Sequence, residues 1–362
     1  MNRTTMKNFK RILVTGGYGF IGSALIRNLL ENSEAKVFNI DKYSKISDSQ
    51  SLEDILKRDK NIKERYKFFN LDIFNTSLLE KAFYKIKPDL VFHLAAESHV
   101  DRSIENPSQF LNSNIIGTFN LIETIRKYLK NNKVEKFKLL HISTDEVFGS
   151  LEEGGKFDEL TPYEPKSPYS ASKACSDHLV RAWRHTYKLP FIVTNCSNNF
   201  GEWQFPEKLI PLTIQKIIKG EKIPLYGNGL QVRDWLYVED HVDALLLISQ
   251  DGNIGEDFCI GGDSEMKNID LVKAISKIIN DYSDNKHSIE ELISFVEDRP
   301  GHDKRYAIDF RKIKRDLGWE PKFKFKDALE KTVKWYLNNP EWARKVLKQA
   351  DYKTQRLGLL KI

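Results

Sequence analysis

Over roughly the first two hundred residues, short apolar runs alternate with stretches whose apolar positions recur at helical spacing. Residues 11–15 read RILVT, a β-branched run that predicts a buried strand. Residues 21–32 place Ile21, Leu25, Ile26, Leu29 and Leu30 on one stripe and predict a helix. Residues 37–40 predict the next strand, and 66–71, 78–86 and 90–94 continue the alternation. A long helix is expected over 107–128, a strand over 137–143, a helix over 169–187 and a strand over 191–196. Strand–helix–strand repetition predicts an α/β fold, a doubly wound parallel sheet with helices on both faces. The right-handedness of parallel crossovers leaves few topologies.

After Asn199 the texture changes. Turns at 226–229 (YGNG) and 261–263 (GGD) separate shorter elements, although 238–250 and 268–280 still predict helices. This predicts a smaller α/β lobe interleaved with the first. The expected domains are 7–200 with about 233–258, then 201–232 with 259–338, then a basic amphipathic tail over 339–362 to which the pattern assigns no role. The chain has 362 residues, 40% of them apolar and 30% charged, so a sizeable core is available. Net charge is +6 without a basic block, which gives no nucleic-acid signature. No window of about 18 apolar residues predicts a membrane span, and residues 1–10 lack the apolar stretch of a secretory signal. Cys175, Cys196 and Cys259 are widely spaced and include no CxxC, and no HExxH occurs. A reduced, cytoplasmic, metal-free protein is expected.

The first strand runs into Thr15-Gly16-Gly17-Tyr18-Gly19-Phe20-Ile21-Gly22, which satisfies GxGxxG and opens a helix. Glycines permit the tight turn and let backbone approach a pyrophosphate, which the helix N-terminus then attracts. Asp41 ends the second strand, where a carboxylate accepts from both ribose hydroxyls and repels a 2′-phosphate. The expected cofactor is NAD rather than NADP, in a Rossmann-type sheet. Asp72, after the third strand, is placed to hold the adenine amine.

Tyr169 and Lys173 lie four apart and so share a helix face. A neighbouring ammonium stabilises phenolate, making a base suited to an alcohol that is being oxidised. An exposed helical pair is the ordinary explanation of YxxxK alone. Its position before the sixth strand adds weight. Thr144-Asp145-Glu146 closes the fifth strand, at the carboxyl end where open α/β sheets bind ligands. Two adjacent acids there repel each other, so one can serve as acid while the other serves as base. A solvated acidic turn is the plain alternative.

These motifs occur in order with HLAAESHVDRSI (93–104), Ser197-Asn198-Asn199-Phe200-Gly201, QFPEKLIPL (204–212), QVRDWLYV (231–238) and VEDRPGHDKRY (296–306). Together they resemble the extended short-chain dehydrogenase/reductase superfamily and, within it, the dTDP-glucose 4,6-dehydratase family. The likeness spans about residues 10–335, and its specific part is Thr144, Asp145 and Glu146 with Tyr169 and Lys173. The resemblance implies one bound NAD and three steps on a nucleotide-linked hexose. Tyr169 with Lys173 would take the 4-hydroxyl proton, with Thr144 hydrogen-bonded near that oxygen. Glu146 would remove H5, and Asp145 would protonate the leaving 6-hydroxyl.

The same likeness implies cofactor contacts from Gly16, Gly19, Phe20, Ile21, Gly22, Asp41, Lys42, Ser44, Asp72, Ile73, Ala95, Ala96, Ser98, Tyr169, Lys173 and Asn199. It implies substrate contacts from Ser98, Asn198, Lys208, Leu209, Pro224, Tyr226, Arg233, Asn268, Arg299 and His302. Arg233 and Arg299 suit a diphosphate because a guanidinium fork pairs bidentately with phosphate. A homodimer through a four-helix bundle of the 107–128 and 169–187 helices is also implied. Three positions depart from the family pattern: Tyr43-Ser44-Lys45-Ile46-Ser47-Asp48 after the ribose acid, Glu202-Trp203 before Gln204, and Phe148 in place of tyrosine. Two alternatives stay open, the same chemistry on a UDP-, GDP- or CDP-linked hexose or N-acetylhexosamine, and a silent nucleotide-sugar- or NAD-binding protein.

Overall fold

Strand β1 (Arg11–Thr15) is buried on both faces, as its continuous apolar run requires of a central parallel strand. In the computed structural model, which describes residues 6–43, 47–282 and 287–350, it pairs in parallel with β2 (Lys36–Asp41) on one side. On the other side it pairs with β4 (Leu90–His93). Strand β3 (Tyr66–Asn70) extends the sheet beyond β2, and β5 (Lys138–Thr144) and β6 (Phe191–Cys196) extend it beyond β4. The smaller lobe adds β7 (Asn198–Phe200), β8 (Ile223–Tyr226) and β9 (Val232–Tyr237). Strand β10 (Asp257–Ile260) returns to the main sheet against β6. The last two are β11 (Glu265–Lys267) and β12 (Ile293–Val296).

The main sheet therefore has seven parallel strands in the order β10-β6-β5-β4-β1-β2-β3. Strand order reverses between β1 and β4, which opens a crevice at their carboxyl ends. The glycine turn and Thr144 both stand at that edge. The smaller sheets are β11-β9-β7 and β12-β8.

The helix expected over 107–128 is a continuous rod made of Pro107–Phe110, a π-helical Leu111–Ile116 and Gly117–Asn131. The wide turn presents Asn114, whose side chain donates to Ser172 Oγ (2.8 Å) and accepts from the Glu97 amide (2.8 Å). Such an insertion commonly marks a functional site. The helix expected over 169–187 is Pro168–Tyr187, started by a Ser167–Ser170 capping box with Pro168 in its first turn.

The described part of the tail forms helix Pro340–Gln349. It docks through Trp342, whose ring meets Trp203 (5.4 Å) and Trp335 (5.1 Å). Trp342 Nε1 also donates to Asp48 (2.8 Å), and Gln349 donates to the Ser47 carbonyl (3.2 Å). Among the described residues, no helix is long and apolar enough to cross a membrane.

Candidate active site

The turn after β1 is held by the Gly16 amide on the Ile40 carbonyl (2.8 Å) and the Gly19 amide on the Gly16 carbonyl (3.0 Å). Gly16 has φ +76°, and a Cβ there would stand 2.7 Å from the Ala95 nitrogen. A Cβ on Gly22 would stand 2.2 Å from the Gly16 oxygen. Helix Phe20–Asn32 begins at Gly19 with no side-chain cap and no acid in its first turn. Its leading N–H groups are thus left for an anionic ligand. Asp41 accepts from the Tyr18 amide (2.8 Å), and burial pushes its carboxyl up to about 7. Lys42 bridges Glu97 (3.0 Å) and Asp72 (3.7 Å).

A cavity of about 330 Å³ runs from this turn to the ends of β5 and β6. Of the expected cofactor residues, Gly16, Gly19, Phe20, Ile21, Gly22, Asp41, Lys42, Asp72, Ile73, Ala95, Ala96, Ser98, Tyr169, Lys173 and Asn199 all line it. Ser44 lies outside the described residues. Thr144, Asp145 and Glu146 line the same space, so all five expected catalytic side chains share one cavity.

The two acids differ in their surroundings. Burial, then repulsion from Glu146, raises the Asp145 carboxyl well above its usual range. Asp145 Oδ1 meets the Thr144 hydroxyl at 3.2 Å, whereas buried Oδ2 has no partner. Burial raises Glu146 as well, but Arg299, Lys208 and Arg233 oppose that rise. Asp145 is the better proton donor and Glu146 the better acceptor. Lys173 Nζ donates to the Ile142 carbonyl (2.9 Å). Burial, followed by the Glu146 charge, holds the Tyr169 phenol well above its ordinary value, and burial also lowers Lys173. In this state burial disfavours the phenolate.

Ser98, Asn198 and Lys208 of the expected substrate set also line the cavity. Tyr226, Arg299 and His302 form a second group, tied to the first lobe through Asp101. Tyr226 donates to Asp101 Oδ2 (2.7 Å) and Arg299 to Oδ1 (3.1 Å), while the His302 ring meets Tyr226 edge-on at 5.9 Å. Arg233 lies over the Tyr306 ring at 4.3 Å. Buried Arg299 Nε, Asn268 Oδ1 and Asn198 Oδ1 have no hydrogen-bond partner. Leu209 opens helix Leu209–Lys219, and Pro224 sits within β8; these two, with Tyr226, Arg233, Asn268, Arg299 and His302, do not line the cavity.

A family model described as GDP-mannose 4,6 dehydratase matches residues 13–332. A dTDP-glucose 4,6-dehydratase of Escherichia coli is 50% identical over 97% of this chain and 99% of its own length. The chain belongs to the dTDP-glucose 4,6-dehydratase family. Two solved structures of such enzymes are similar throughout. The Bacillus anthracis enzyme in complex with NAD superimposes with a TM-score of 0.82 at 40% identity, covering 93% of this chain and 99% of that one. The Streptomyces venezuelae enzyme with NAD bound gives 0.85 at 37% identity, with the same coverages.

Within the family frame, two of the three departures meet at the docked tail helix. Ser47 and Asp48 accept from Gln349 and Trp342, and Trp203, at φ +68°, packs on Trp335 (4.7 Å) and Trp342. Glu202 accepts from the Tyr237 hydroxyl (2.7 Å). Phe148 stacks on Phe157 (5.1 Å), so its missing hydroxyl leaves an apolar contact intact. Sequence reading passed over Glu97, Gln204 and Glu207, which line the cavity too. Glu207 and Gln204 stand inside the quoted 204–212 motif beside Lys208, which was the available signal. Glu207 is bound by Arg102 (2.6 Å) from the opposite lobe.

Proposed function

We propose that the protein converts dTDP-glucose to its 4-keto-6-deoxy derivative by an NAD-dependent 4,6-dehydration. The observation that carries this reading is the adjacent Asp145 and Glu146, electrostatically unlike, in one cavity with Tyr169 and Lys173. Gly16 to Gly22, with an uncapped helix start and no room for a Cβ at Gly16 or Gly22, fit a pyrophosphate, and Asp41 fits a ribose diol. Bound NAD supplies the acceptor for the hydrogen leaving C4 and returns it at C6, so no net oxidation results. Tyr169 takes the 4-hydroxyl proton, with Lys173 as its counter-charge and Thr144 as a hydrogen-bonding neighbour. The ketone acidifies H5. Glu146 then removes H5, and Asp145 protonates the departing 6-hydroxyl through its unpartnered Oδ2. Buried Arg299 and Arg233 hold the diphosphate. Segments 201–232 and 259–338 form the nucleotide-sugar side of the cleft.

The test is incubation with dTDP-glucose, UDP-glucose, UDP-N-acetylglucosamine and GDP-mannose, followed by analysis for a 4-keto-6-deoxy product. The highest kcat/KM is expected with dTDP-glucose. A higher value on another nucleotide overturns the base assignment and leaves the chemistry standing.

Two further outcomes are expected. Ribose hydroxyls donate best to a carboxylate, so NAD binding favours ionised Asp41. With its carboxyl near 7, affinity should fall as pH drops through 7, and Asp41→Asn should weaken binding and flatten that dependence. Calorimetric titration of apoprotein from pH 6 to pH 8.5 measures both. A homodimer is supported by the packing of helices Gly117–Asn131 and Pro168–Tyr187 and by the exposure of Leu111 (49%), Ile116 (42%), Phe119 (37%) and Tyr187 (45%) on them and the π-helical turn. Apolar exposure of this kind suits burial against a second copy as a four-helix bundle. Phe119→Asp should shift sedimentation to the monomer. Three free thiols, Cys175, Cys196 and Cys259, suit the reducing cytoplasm.

A further inference from the structure

Helix Pro168–Tyr187 carries a third ionisable group in register with the first two. Tyr169, Lys173 and Asp177 follow one another at four-residue steps, so all three lie along one face. Asp177 is fully buried and receives three donors. His141 Nε2 lies 2.9 Å from Oδ1, and the Ser143 and Tyr163 hydroxyls lie 2.7 and 2.8 Å from Oδ2. Burial alone would raise this carboxyl, but the hydrogen bond from His141, with the Lys173 charge and the Ser143 hydroxyl, holds it below its usual value. His141 does not neutralise it by proton transfer, because burial and Lys173 bring the imidazole down to about 4. Arg181 faces it through the Tyr163 hydroxyl (2.7 Å) while pairing directly with Asp257 (2.7 Å). The Asp177 charge is thus fixed, dry and not paired ion to ion.

The groups that face Lys173 from the packed strands are His93 of β4, His141 of β5 and Cys196 of β6. Burial keeps both imidazoles uncharged, and it pushes the Cys196 thiol up to about 12. None of these three is charged at neutral pH, whereas Asp177, on the same helix as Lys173, is, and its attraction opposes the loss of the Lys173 proton that burial favours. We propose that Asp177 is a positioning residue, a fixed negative charge one helical turn behind Lys173 that keeps the buried ammonium protonated for the work of Tyr169.

The inference rests on the assignment of Tyr169 and Lys173 to C4 oxidation. The Lys173 side chain is read directly in apoprotein by NMR titration of 13C-lysine, with Lys173→Met giving the assignment. In the wild type it should stay charged well above neutral pH despite complete burial; titration below neutrality overturns the proposal without any variant. Asp177→Asn should lower the Lys173 midpoint by about one pH unit or more, the usual effect of losing a close opposite charge. The alkaline limb of the pH profile for reduced-nicotinamide formation should move down with it, at unchanged KM, and Asp177→Glu should restore both. An Asn variant with unaltered Lys173 titration and pH profile assigns Asp177 to packing and overturns the idea. If Tyr169→Phe still forms reduced nicotinamide at the wild-type rate, the underlying reading of the site fails instead.

Discussion

Replacing Glu146 by Gln should leave oxidation at C4 running and halt the reaction after it. The substitution keeps the side chain's shape and removes the acceptor for H5, while Tyr169, Lys173 and Thr144 stay in place. Reduced-nicotinamide absorbance should rise on mixing with substrate and persist, since the elimination that precedes hydrogen return is blocked. Tyr169→Phe should show no such rise, because the 4-hydroxyl then has no base. A general acid or base contributes about 10²–10⁴-fold, so both variants should turn over at least about 100-fold more slowly. The electrostatics support this division. Glu146 faces Arg299, Lys208 and Arg233, which favour its carboxylate, whereas Asp145 is raised well above the usual range. Equal absorbance build-up in the two variants would show that one group serves both steps.

A methyl group on Gly22 should empty the cofactor site. Its Cβ would stand 2.2 Å from the Gly16 oxygen and 2.9 Å from the Gly17 Cα, both backbone atoms that cannot rotate aside. The turn must open, which moves the N–H groups at the start of helix Phe20–Asn32. Overpacking of this kind costs about 1–3 kcal/mol, or roughly 5- to 150-fold in affinity if charged wholly to binding. Gly22→Ala should therefore purify with little nicotinamide and bind added NAD at least about fivefold more weakly. Gly19→Ala is the graded comparison, since its Cβ would meet the Gly16 oxygen at 3.1 Å. Indistinguishable NAD affinity in wild type and Gly22→Ala would show that the turn yields at no cost.

The alternation of β1, β2, β4, β5 and β6 with helices was legible because parallel strands buried on both faces read as unbroken apolar runs. The ligand edge was legible too, since the glycine turn, Asp41 and Thr144-Asp145-Glu146 each close a strand. The π-helical Leu111–Ile116 was not, because a single wide turn barely disturbs an apolar period of 3.6. The bonds of Asp177 were equally hidden: His141, Ser143 and Tyr163 lie 36, 34 and 14 residues away, and the packing of helix Pro168–Tyr187 on β5 brings Asp177 to the first two. The tail was recognised as amphipathic. Its dock was invisible because Trp203, Trp335 and Asp48 come from three separate segments.

That dock has a consequence for how the molecule is made. Trp342 and Asp48 are 294 residues apart, and Gln349 and Ser47 are 302 apart. A chain grows from its N-terminus at about 5–20 residues per second, and early segments fold while later ones are still being added. The Ser47 and Asp48 side of the dock is therefore made well before the helix that binds it. Until that helix has been made, Asp48 and Trp203 lack Trp342 as a partner. A nascent chain thus carries the Ser47 and Asp48 segment before residues 342–349 exist to bond it.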